Sequence, residues 1–98
     1  MAVTYELEER LKHAPLPLVA ARVKRARKEI EPKVSHDEIG RRMRPEEPVL
    51  RQTLINWEKA KFRPSLDLLA RYAEATGRHV EWFLDPDLDP SPFQEEAA

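Results

Sequence analysis

INWEKAKFRPSLDLLARYAEATG, residues 55–77, is the stretch on which the reading of the whole chain turns. Leu50, Leu54 and Trp57 fall on one face of a helix and are expected to pack inward as it runs to about Ala60. Pro64 stops that helix, because proline has no N–H to donate and its ring clashes with the preceding turn. Ser65 follows at once, and its hydroxyl suits the N-cap of a further helix. In that helix Leu66, Leu69, Ala70 and Ala73 recur three and four residues apart and are expected to face inward. Gly77 fits its C-terminal cap, where a left-handed backbone is needed.

Working upstream, Pro48 suits the first turn of the helix that carries Trp57. Ser35 predicts an N-cap for a helix over His36–Met43, and Pro45 and Pro48 punctuate the connection between the two. A further helix is expected from Leu18 to Glu29, with Val19, Val23 and Ala26 inward and Arg22, Arg25 and Lys28 largely outward, closed by Pro32. Thr4 caps a first helix that ends at His13, with Val3, Leu7 and Leu11 along one stripe, and Pro15 and Pro17 terminate it. Downstream, Val80 to Leu84 reads as a last short helix carrying Trp82 and Phe83. From Asp85 the sequence DPDLDPSPFQEEAA is acidic and proline-rich and reads as an extended tail. No segment alternates apolar and polar residues as a half-buried strand does, so the class is all-α.

The 98 residues suit one domain. Cysteine is absent, which excludes disulfides and thiolate metal sites, and His13, His36 and His79 are too far apart for a zinc spacing. No cofactor is called for. No apolar run approaches the ~20 residues of a membrane span, and the acidic start MAVTYELEER lacks the features of a signal peptide. A cytoplasmic protein is expected. The net charge of −1 hides a strong asymmetry. Residues 19–63 carry 13 Lys and Arg against 7 Asp and Glu, whereas residues 64–98 carry 2 against 8. A basic middle is what a phosphate-facing surface requires, since contacts are made by a face and not by a chain average. A solvated basic face on a helical protein has the same composition.

From VAARVKRARKE at residues 19–29 to HVEWFL at residues 79–84, the chain resembles the family of phage repressors, Cro and the xenobiotic-response-element (XRE-type) bacterial regulators. SHDEIG resembles the family's SQxELA, the quoted 55–77 stretch resembles ISxWExGxxxPSxxxLxxLAxxLG, and HVEWFL resembles VSxDWLL. The likeness covers about two-thirds of the chain. It implies a five-helix, lambda-repressor-like helix-turn-helix bundle over residues 18–84, with an extra N-terminal helix and linker at 1–17 and a tail at 85–98. There are departures. RRMRPEEPVL is about four residues longer than the family's turn, Gly40 stands where Ala is usual, and Ala60 stands where Gly is usual.

Aligned backward from Trp57 and Glu58, the resemblance puts Arg51, Gln52 and Asn56 at base-reading positions. Their chemistry suits that role. Arg donates two hydrogen bonds to guanine O6 and N7, and Gln or Asn pairs bidentately with adenine. Taken without the resemblance, the same three residues read more readily as ordinary solvated helix positions than as base contacts. Thr53 suits a thymine methyl or a phosphate, and His36, Lys59, Lys61 and Arg63 are expected to contact the DNA backbone. Arg41, Arg42 and Arg44 form a second basic cluster. The resemblance further implies a partly buried ion pair between Arg27 and Glu58.

The function expected is that of a sequence-specific transcriptional regulator, a repressor binding double-stranded DNA as a homodimer on an inverted repeat. The alternative is an antitoxin or other interaction protein, in which the helix-turn-helix autoregulates while the tail or the N-terminal helix holds a partner protein. An enzyme is the weakest reading: Ser35 and Ser65 read as caps, Ser91 lies in the tail, and Glu46–Glu47 sits in a proline-rich turn.

Overall fold

The computed structural model describes residues 2–30 and 32–88, and within them the chain is all-helical, without strands. Five α-helices follow one another: α1 (Ala2–His13), α2 (Leu16–Lys28), α3 (His36–Met43), α4 (Arg51–Glu58) and α5 (Leu66–Thr76). Two 3₁₀ turns, Val80–Phe83 and Pro86–Leu88, close the described chain. No helix among the described residues is long and apolar enough to cross a membrane.

The caps form where the sequence places them. The Ser35 hydroxyl accepts from the Glu38 amide and starts α3, and the Ser65 hydroxyl accepts from the Leu68 amide and starts α5. Gly77 takes the left-handed conformation at the end of α5. Three boundaries differ from expectation. Helix α1 begins at Ala2, so Thr4 stands within it and not before it. Pro17 lies in the first turn of α2, where its missing N–H has no partner to lose, so it helps to open that helix and does not end the previous one. Helix α4 begins at Arg51 with Leu50 as its N-cap, three residues later than Pro48 suggests.

One buried cluster joins the helices. Val19 and Val23 of α2, Ile39 of α3, Leu54 of α4, Leu69 and Tyr72 of α5 and Phe83 are fully buried. Leu11 of α1 and Ala14 join the same cluster. Trp57, Tyr72, Phe83 and Trp82 make a chain of edge-to-face contacts with centroids 6.0, 5.9 and 5.1 Å apart, a geometry that aromatic quadrupoles favour. Tyr72 donates to the Val23 carbonyl at 2.7 Å, which satisfies its buried hydroxyl, and burial pushes its ionisation well above the usual range. Trp82, Phe83 and Leu84 therefore belong to the core.

Several side chains depart from the expected faces. Ala70 is exposed and Leu66 only half-buried. Arg22 is not outward: only 4% of it is exposed, and its guanidinium donates to the carbonyls of Trp82, Asp85 and Pro86. These are carbonyls left unpaired where the 3₁₀ turn ends, and a cation is a suitable partner for them. The start of the expected tail is consequently not extended, because Pro86–Leu88 form a turn against Arg22. Residues 89–98, the rest of that tail, lie outside the described residues.

Candidate nucleic-acid interface

Helix α4 has only eight residues, so its position depends on its anchors and not on its own stability. Leu54 and Trp57 sink into the core. At its last residue, Glu58 accepts two hydrogen bonds from Arg27 of α2, Nε to Oε2 at 2.7 Å and an Nη to Oε1 at 3.0 Å. The Nε2 of His36, the first residue of α3, lies 3.1 Å from Glu58 Oε2. The ion pair expected between Arg27 and Glu58 is thus present, bidentate, and shared with a third helix. Side-chain exposure is 9% for Glu58 and 18% for Arg27. Burial disfavours the charged carboxylate, but Arg27 and His36 outweigh it and hold Glu58 below the usual carboxylate range. The same contact raises the pKa of the Arg27 guanidinium above its ordinary value.

The opposite face of α4 points away from the core. Arg51 and Gln52 are exposed, and Thr53 and Asn56 are half-buried. Gln52 Nε2 donates to Asn56 Oδ1 at 3.1 Å, one turn along the same face. Gln52 keeps its carbonyl oxygen and a second N–H, and Asn56 keeps its amide N–H groups, so both side chains retain hydrogen-bonding capacity for another molecule. Ile55 sits among them, half-buried. Two large exposed apolar side chains flank it: Leu50 is 72% exposed and Phe62 is 61% exposed. Leu50 corrects the expected Leu50–Leu54–Trp57 stripe. As the N-cap it has extended backbone (φ −66°, ψ 140°) and leaves the helical wheel.

The expected backbone-contact residues divide into two groups. Lys59 and Lys61 are exposed beyond the end of α4. Two others are engaged within the protein. His36 faces Glu58 with 19% of its side chain exposed. Arg63 donates to the carbonyls of Leu11 (2.8 Å) and Ala14, closing the C-terminal end of α1. Arg41 and Arg42 are exposed, and both pair with Glu38, whose carboxyl they hold below its usual range. Arg44 donates to the Glu47 carbonyl at 2.6 Å.

The long connection between α3 and α4 folds back on α3. The Val49 amide donates to the Gly40 carbonyl at 3.2 Å. A Cβ on Gly40 would lie 2.1 Å from the Val49 carbonyl oxygen, so only glycine admits this approach. Gly40 and the connection that follows α3 are therefore one structural feature: the connection crosses α3 where a side chain is missing.

No protein-family model matches the chain, and no curated protein or solved structure matches it.

Proposed function

We propose that this chain is a sequence-specific, double-stranded DNA-binding regulator of transcription, of the phage-repressor and Cro type, and a repressor that acts as a homodimer on an inverted repeat. In this reading α3 and α4 form a helix-turn-helix, with α3 across the phosphate backbone and α4 in the major groove. The observation that carries it is the division of α4. Its apolar residues Leu54 and Trp57 and its acid Glu58 are all consumed by the protein, while Arg51, Gln52 and Asn56 face outward. A helix held this firmly while it shows donors and acceptors to solvent suits the reading of base edges. Lys59 and Lys61 supply phosphate contacts beyond its end. Two copies place two such helices about 34 Å apart on one side of a duplex.

The test is selection from a random-sequence duplex pool, followed by titration of the recovered site. The wild-type chain enriches a two-fold symmetric sequence, and with about six to eight phosphate contacts per dimer its log–log salt slope lies near −5 to −7. Asn56→Ala weakens binding to that site by about 1–3 kcal/mol and relaxes preference at one base pair. A flat salt response, or an equal loss on random duplex, overturns the reading.

A further inference from the structure

Leu50 and Phe62 are the two large apolar side chains that stand well out of the core among the described residues, and they bracket one helix, α4. An isolated exposed leucine is ordinary on a protein surface. The backbone around Leu50 is not. Val49, immediately before it, is buried and bonded to Gly40, whose missing Cβ leaves room for the Val49 carbonyl. Arg51 and Gln52, immediately after it, open the outward face of α4. The connection is thus clamped on one side and helical on the other, and the residue between them is held with its side chain in solvent. The extended backbone at Leu50 turns it off the stripe on which Leu54 and Trp57 are buried.

We propose that Leu50 is a base-reading residue that covers the 5-methyl group of a thymine in the major groove, beside the base pair met by Arg51 or Gln52. This rests on the DNA-reading function proposed above. Leucine has no donor or acceptor, so the base edge it selects must offer apolar area. The thymine methyl is the one such group that the four bases present in the major groove. A cytosine or adenine edge in that place would bury an amino group against hydrocarbon without a partner. Leu50 thereby adds a preference that the polar residues of α4 do not supply, and it does so from the connection that precedes the helix.

The probe is the duplex recovered from the random pool, with each thymine replaced in turn by deoxyuridine, which differs only in lacking the methyl. Binding of the wild-type chain and of Leu50→Ala is measured on each duplex. At one thymine in each half-site, loss of the methyl weakens the wild-type chain about fourfold, the worth of one buried methyl group. Leu50→Ala is already weakened at that site and shows no further loss there. If Leu50→Ala keeps the wild-type's deoxyuridine penalty at every thymine, or if no thymine is sensitive in the wild-type chain, the assignment fails. These outcomes are distinct from failure of the function itself, in which the wild-type chain recovers no preferred duplex.

Discussion

The two ends of α4 are built in opposite ways. At the C-terminal end, Glu58 holds α2 and α3 together, Trp57 is in the core, and the chain beyond turns through a closed cap. At the N-terminal end, Leu50 offers no side-chain cap, Arg51 and Gln52 are exposed, and no ion pair holds Arg51 among the described residues. The helix is positioned by buried side chains at one end and by the clamped backbone of the connection before the other, and neither uses the outward side chains Arg51 and Gln52. Stability and binding are then separable along the helix, and substitutions at the two ends affect different measurements.

The largest effect is expected at the fixed end. Glu58→Ala leaves the Arg27 guanidinium without its carboxylate at a largely buried site, and lowers stability by about 3 kcal/mol. Urea denaturation followed by tryptophan fluorescence measures it. An unchanged midpoint would mean that the pair does not hold α4, and the contrast between its ends would lose its basis. At the other end, Gly40→Ala forces the new methyl against the Val49 carbonyl, and overpacking of this kind costs about 2 kcal/mol. That variant also shifts the clamp beneath Leu50, so under the proposed DNA-binding function it reduces duplex affinity more than its stability loss accounts for. Loss of stability with duplex affinity intact would separate the clamp from the proposed reading face.

The same contrast explains what was legible in the chain. The Ser35, Ser65 and Gly77 caps are local: each depends on residues within one turn, so a single serine or glycine announces it. Only the family resemblance implies the Arg27–Glu58 pair, since nothing local relates residues 31 apart. Arginine reads as an outward residue at position 22, yet it occupies the stripe of Val19, Val23 and Ala26, and that spacing is the signal that it turns inward. Its partners, the carbonyls of Trp82, Asp85 and Pro86, lie 60 or more residues away and carry no mark in the sequence. The start of α4 is illegible for a similar reason. Pro48 is a permissible first-turn residue, and the return of the connection onto Gly40 holds residues 48–50 outside the helix.

Acid sharpens the distinction more gently. Glu58 ionises below its ordinary value in the folded chain, so the charged form favours folding. Its contribution is complete above the unfolded pKa of about 4.3 and is lost as pH falls through the lower folded value. Glu38 shifts in the same direction and adds to the trend. The urea midpoint of the wild-type chain therefore falls on acidification below about pH 5, and Glu58→Gln flattens part of that fall. A midpoint whose pH dependence is the same in Glu58→Gln and the wild-type chain would show that Glu58 is not specially paired.

The smallest effect concerns how the fixed end is closed. Lys61 donates its amide to the Asn56 carbonyl at 2.9 Å and Ala60 donates to the Trp57 carbonyl at 3.1 Å. Helix α5 ends with a similar bond, Arg78 to the Ala73 carbonyl at 2.8 Å, around Gly77. Both caps require a left-handed residue, with φ 75° at Gly77 and φ 60° at Ala60. Glycine takes that conformation freely, whereas alanine brings its Cβ too close to the following carbonyl at a cost of about 1 kcal/mol. Ala60→Gly removes this strain, but the more flexible unfolded chain that glycine gives offsets part of the gain. The net expectation is a stabilisation of about 0.5 kcal/mol, or a rise in melting temperature of about 2–4 °C for a domain of this size. Because Ala60 contributes no group to the outward face of α4, the duplex affinity that the proposed function requires stays at the wild-type value at fixed salt. A melting temperature that falls in Ala60→Gly would place the strain elsewhere; a stability gain accompanied by weaker binding would mean that the closed end of α4 also sets the angle at which its open end is presented.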